Sequence, residues 1–216
     1  MREFLGVVAS ASVILFARLI TAVRGEWRGS EPAGVQRIYF ANHASNGDFV
    51  LLWTVLPPPL RRRSRPVAAA DYWQTNSIRR FLIRDVFKGV LIERVRTEDS
   101  ADPIAVMAEA LDTGDSLIIF PEGTRNTTDA KLLPFKSGIF RLATARPEVE
   151  LAPVWINNLN RVMPKGELLP IPLLCTVIFG ESMKLRDDES KEAFLDRAQE
   201  ALLSLAPVPS SGSENS

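Results

Sequence analysis

The stretch from Asp102 to Phe120, DPIAVMAEALDTGDSLIIF, decides the fold. Asp102 is a favourable N-cap, and Pro103 suits the first helical position, where its missing N–H is not needed. Ile104, Met107, Ala108 and Leu111 recur at helical spacing before Gly114 stops the helix. Leu117 to Phe120 then form a short, wholly apolar run, the pattern of a strand covered on both faces. A helix feeding such a strand is half of an α/β unit, and the same alternation runs outward in both directions. Further strands are expected at Arg37 to Ala41, Val67 to Ala70, Val90 to Ile92, Leu151 to Ile156 and Leu173 to Phe179. Phe194, Leu195, Ala198, Ala201, Leu202 and Leu205 mark a last amphipathic helix. The expected architecture is one α/β domain whose mainly parallel central sheet is flanked by helices.

The chain has 216 residues, 46% of them hydrophobic, which suits one sizeable core. Its 26 basic and 26 acidic residues cancel, so no global field points to nucleic acid, and an anion site must be local. Cys175 is the only cysteine, which excludes an intrachain disulfide; in its apolar run it reads as a buried small hydrophobe. One histidine, His43, excludes a His-rich metal centre, and no metal is expected.

Residues Phe4 to Val23 are apolar and about long enough to cross a bilayer, but Arg18 interrupts them and Arg2 and Arg24 flank them. Gly6, Ser10, Val13, Ala17, Thr21 and Arg24 share one stripe of small or polar residues, and the large apolar side chains cover the rest. Such a helix can face lipid with its large residues and protein with its small ones. A cleaved signal peptide, disfavoured by Arg18 and by the lack of a small-x-small site, and a core helix are the competing readings. The expected division is a membrane-associated helix over 1–24, a main domain over 25–206 and a disordered Pro/Ser-rich tail over 207–216.

His43 follows the strand pattern Ile38 to Ala41 and precedes the apolar stretch Phe49 to Leu56, so it sits at a strand-to-helix turn. On a regular helix His43 and Asp48 would lie roughly 140° apart, so they can meet only across a turn. With Ser45 or Asn46 capping the helix and Asp48 in its first turn, the imidazole folds back onto the carboxylate. Asp48 then orients His43, whose other nitrogen is a general base. Ser45 as the nucleophile of a triad is the lesser reading, and His43 alone could be a hydrogen-bonded turn residue. A second segment, Pro121-Glu122-Gly123-Thr124-Arg125, follows the strand ending at Phe120. Gly123 permits close backbone approach, Thr124 offers a hydroxyl, and Arg125 can clamp a phosphate or carboxylate. Arg94 and Lys136 stand at comparable places, though each taken alone reads as a solvated surface charge. Arg61, Arg62, Arg63 and Arg65 form a further basic cluster, read equally as binding lipid headgroups or as simply solvated.

Together these residues resemble the 1-acyl-glycerol-3-phosphate acyltransferase (lysophosphatidate acyltransferase) family. Its pattern pairs Asn-His-x-Ser-x-x-Asp, here Asn42 to Asp48, with Pro-Glu-Gly-Thr-Arg, here Pro121 to Arg125. Phe135-Lys136-Ser137-Gly138 and Pro153-Val154 extend the likeness, which covers about residues 25 to 160. The resemblance implies transfer of a fatty acyl group from acyl carrier protein or coenzyme A thioester, a co-substrate and not a bound cofactor, to the hydroxyl of a lysophospholipid. The expected acceptor is 1-acylglycerol-3-phosphate and the product phosphatidic acid. It also implies that His43 and Asp48 are catalytic, and that Arg94, Glu122, Gly123, Thr124, Arg125 and Lys136 shape a phosphate site. The expected place is the cytoplasmic face of the cell membrane. Another lyso-acceptor, an acyl thioesterase and a non-catalytic membrane lipid-binding module are the alternatives.

Overall fold

The computed structural model describes residues 2–93, 101–157 and 175–207. Seven strands form one sheet: β1 (Arg24–Trp27), β2 (Arg37–Ala41), β3 (Ser64–Ala69), β4 (Val90–Ile92), β5 (Ser116–Ile119), β6 (Glu150–Asn157) and β7 (Thr176–Phe179), in the order β1-β7-β6-β2-β5-β3-β4. Every neighbouring pair is parallel except β6 with β7, so the mainly parallel sheet is as expected. β3 begins at Ser64 and not at Val67, because Ser64 to Pro66 pair with Ser116 to Ile118 before the strand moves on to β4. β1 was not expected at all, since RGEW carries no apolar run. The first two residues of the expected strand Leu173 to Phe179 lie outside the described residues.

The helices are α1 (Arg2–Thr21), α2 (Asp48–Val55), α3 (Pro58–Arg62), α4 (Ala70–Trp73), α5 (Ser77–Phe81), α6 (Pro103–Asp112), α7 (Gly138–Ala145) and α8 (Lys191–Leu203). α5 runs directly into a π-helical turn, Leu82–Val86. Alternation along β2 sets the layers. Ile38 and Phe40 face a core shared with α6, α7 and α8, whereas Tyr39 and Ala41 face one shared with α1, α2 and the π-helical turn. Burying each such large side chain stabilises the fold by roughly 1.5–3 kcal/mol.

The chain leaves β2 through α2 on one face, and it leaves β5 through α7 on the other. Since β2 and β5 are adjacent and parallel, the crossovers diverge and open a crevice at their carboxyl ends, where ligands of open α/β sheets bind. His43 follows β2 and Pro121 to Arg125 follow β5.

α1 lies along the domain for most of its length. A Cβ at Gly6 would sit 2.9 Å from the Asp85 carbonyl oxygen, Ala17 is buried, and the Thr21 carbonyl accepts the Cys175 N–H at 2.9 Å. The small-residue stripe thus faces protein, while Phe4, Leu5, Val7, Val8, Leu15, Phe16 and Leu19 are exposed. Two of the four clustered arginines are structural, whereas Arg62 and Arg63 are exposed. Arg61 caps the end of α2, donating to the carbonyls of Trp53, Thr54 and Leu56, and burial followed by the Arg18 charge lowers its pKa. Arg65 donates to the Lys88 carbonyl and pairs with Asp115.

Candidate active site

His43 leaves β2 on a turn held from four sides. Asn42 continues the sheet with its side chain: Nδ2 donates to the Ile156 carbonyl at 3.0 Å, and Oδ1 accepts the Ile156 N–H at 2.7 Å. This side chain takes the place of one more rung between β2 and β6. Asp48 is the first residue of α2, with Gly47 and not Ser45 or Asn46 at the N-cap. Ser45 Oγ accepts only the Gly47 N–H, at 3.2 Å, and so closes the turn. Its expected capping role is corrected by Asp48 itself. From the start of the helix the carboxylate reaches back, and Oδ2 accepts the N–H groups of Ala44 (2.7 Å) and Ser45 (2.8 Å).

The same oxygen lies 2.8 Å from His43 Nδ1. It is an acceptor, so Nδ1 carries the proton and Nε2 is left with its lone pair. Asp48 is 1% exposed, whereas the imidazole keeps 20% of its side-chain surface open. The ring stacks on Phe120, with centroids 4.2 Å apart and planes at 19°. Tautomer, tilt and facing nitrogen are therefore fixed before any substrate arrives.

Glu122 ties the two strand ends together. Its Oε1 accepts the His43 N–H at 2.7 Å and its Oε2 accepts the Leu133 N–H at 2.8 Å. Asn126 N–H in turn donates to the His43 carbonyl at 2.6 Å. With 2% exposure and both oxygens engaged, Glu122 shapes the site by holding backbone. Burial raises its pKa, against the lowering effect of those two N–H donors. Sequence reading placed Glu122 in an anion site and overlooked Asn42. The usable signal was a carboxylate and an amide each directly following a buried strand, where an internal partner is required.

Gly123, Thr124, Arg125 and Lys136 come together at the mouth of a cavity of about 560 Å³ that His43 also lines. Gly123 has φ +67°, and a Cβ there would lie 2.8 Å from Lys136 Cδ, so the bare glycine lets the lysine stem cross it. Arg141, which the sequence did not single out, lines the same cavity and pairs with Asp102 at 3.0 Å. Deeper in, Val67, Ile104, Met107, Ile119, Ile139 and Leu142 make the walls apolar. Arg94 lies outside the described residues. Among the described residues no group of carboxylate, histidine and cysteine side chains could hold a metal ion. Cys175 is buried, as expected, and burial followed by the Asp48 charge pushes its thiol up to about 11, so it is no nucleophile at neutral pH.

A histidine held by a carboxylate lies beside a cationic mouth and an apolar hollow at the switch point of a parallel sheet. The acyltransferase family profile matches residues 26–157, and the chain belongs to that family. It is 30% identical over 159 residues to human 1-acyl-sn-glycerol-3-phosphate acyltransferase alpha, covering 72% of this chain and 53% of the relative. The 1-acyl-sn-glycerol-3-phosphate acyltransferase of Cocos nucifera is 27% identical over 166 residues, covering 76% and 51%. The chain thus spans about half the length of these relatives. Its fold is shared by the crystal structure of the 1-acyl-sn-glycerophosphate acyltransferase PlsC from Thermotoga maritima, with TM-score 0.70 and 23% identity over 94% of this chain and 81% of that one.

Proposed function

We propose that the protein transfers a fatty acyl group from a coenzyme A or acyl carrier protein thioester to the free hydroxyl of a lysophospholipid, 1-acylglycerol-3-phosphate before others. The observation that carries this reading is the fixed His43–Asp48 pair, whose ring lines a cavity with Arg125 and Lys136 at its mouth and apolar walls inside. Nε2 removes the hydroxyl proton as the oxygen attacks the thioester carbon, Asp48 stabilises the imidazolium, and the departing thiolate takes the proton. A thioester is already activated, so placement and a base suffice without a covalent enzyme intermediate. Arg125 and Lys136, together with Thr124, hold the acceptor phosphate, and the acyl chain lies along the apolar walls. Residues 1–24 anchor 25–206 to the cytoplasmic face of the membrane: α1 lies in the interface plane, its protein-facing stripe docked and its large residues in lipid.

A panel of lyso-acceptors, assayed with coenzyme A and acyl carrier protein donors and read by product mass, tests this. Phosphatidic acid as the main product is expected. Free fatty acid released regardless of acceptor would replace the reading with a thioesterase, and tight lipid binding with no turnover would replace it with a binding module.

A further inference from the structure

His43 also faces a second cavity, of about 360 Å³, lined by Asn126, Thr128, Ala130, Lys131, Trp155 and Asn157 with the catalytic turn as its floor. Among the described residues, His43 is the only one that lines both cavities. The two hollows differ in chemistry. The first has cations at its mouth and apolar walls, whereas the second carries amides, a hydroxyl and the opposed charges of Asp129 and Lys131 above the buried carboxylates of Asp48 and Glu122. Such a balance repels a phosphate and accepts a neutral polar chain.

A second, independent feature points the same way. Trp155, 7% exposed at the end of β6, lines this cavity, and its indole N–H is buried without a hydrogen-bond acceptor among the described residues. Buried polar groups are normally paired, so an unpartnered donor in a residue that lines the cavity is a candidate for an incoming carbonyl.

We propose that this second cavity binds the pantetheine arm of the acyl donor, with the Trp155 indole donating to an amide carbonyl of the arm. The proposal rests on the acyltransferase reading above. The arm is uncharged, carries two amides and a hydroxyl, and is common to coenzyme A and acyl carrier protein thioesters. With the acyl chain in the first cavity and the arm in the second, the thioester carbonyl falls at the junction, beside His43. The acceptor oxygen bonds to that carbon, the C–S bond breaks, and the thiolate leaves along the second cavity with the proton that His43 returns.

Three palmitoyl thioesters separate the parts: palmitoyl-coenzyme A, palmitoyl-pantetheine and the armless palmitoyl ethanethiol ester, with palmitoyl-acyl carrier protein alongside. Ala130→Trp fills the cavity from an exposed loop, and Trp155→Phe removes only the N–H. For Ala130→Trp the donor KM should rise about tenfold for every arm-bearing donor, while kcat/KM for the ethanethiol ester stays within about twofold of wild type. Trp155→Phe should show the same pattern at about threefold. A change confined to coenzyme A would assign the cavity to the nucleotide, and a change in acceptor KM alone would assign it to the headgroup; either overturns the proposal, as does no change in an active enzyme. Wild-type failure with all four donors would instead overturn the acyltransferase reading, and this proposal with it.

Discussion

The turn that carries His43 and the rim that carries Arg125 lie at the ends of neighbouring strands, yet their polar groups have opposite fates. In the turn they are engaged inside the protein: Asn42 on Ile156, Asp48 on Ala44, Ser45 and the imidazole, Glu122 on His43 and Leu133. On the rim Thr124, Arg125 and Lys136 are exposed, and neither cation has an ion pair or side-chain hydrogen bond with a described residue. On the proposed function the contrast has a reason: a base must present one nitrogen in one direction, so its surroundings are preorganised, whereas groups that bind a ligand's charge must be free to meet it. The contrast predicts that damage to the turn will appear in kcat and damage to the rim in KM.

His43→Ala should break that contrast most severely. Removing the base is expected to lower kcat by about 10²–10⁴ at unchanged acceptor KM, in protein shown by circular dichroism and vesicle binding to be folded and membrane-bound. Near wild-type transfer would move the chemistry elsewhere. Asp48→Asn should follow closely, with kcat down by about 10² or more, because an amide can present N–H to Nδ1 and so reverse the tautomer. A wild-type kcat in that variant would reduce Asp48 to a turn-holding residue.

On the rim, Arg125→Ala should raise the KM for 1-acylglycerol-3-phosphate by about 10–150-fold while kcat changes little, the loss of a charge-assisted contact of roughly 1.5–3 kcal/mol. An acceptor lacking the phosphate should be insensitive to the substitution. If both acceptors suffer alike, or if kcat falls in place of KM, the rim belongs to the catalytic machinery and the division fails.

How far the sequence disclosed all this depends on where apolar burial is the signal. α6 and β5 were readable because their patterns report directly what they pack against, and Asp102 and Pro103 mark where α6 starts. β1 was not, because RGEW joins the sheet through backbone pairing with β7 while its side chains stay largely outside. At the site, His43 and Asp48 were legible as a pair because only a turn can unite them. The role of Glu122 was not, since a motif names residues without saying which way they face. Nor was the second cavity, whose Trp155 reads in sequence as one more core aromatic.

Glu122 offers the finest test of the contrast, since it follows β5 with the rim residues but is engaged inside the protein with the turn. Gln has one acceptor oxygen where two N–H groups wait, so Glu122→Gln should leave either His43 or Leu133 unsatisfied and lower Tm by roughly 5 °C. The deficit should depend on pH in a defined sense. Burial raises the folded-state pKa of Glu122 above its unfolded value, so the native state holds this proton more tightly. Its titration therefore contributes stability that is complete below the unfolded pKa and is lost as pH rises through the folded one. The amide of the variant does not titrate. The Tm gap between wild type and Glu122→Gln should thus be widest at the acid end of that window and narrow as pH rises across it. A gap that widens with rising pH would mean that the two N–H donors outweigh burial.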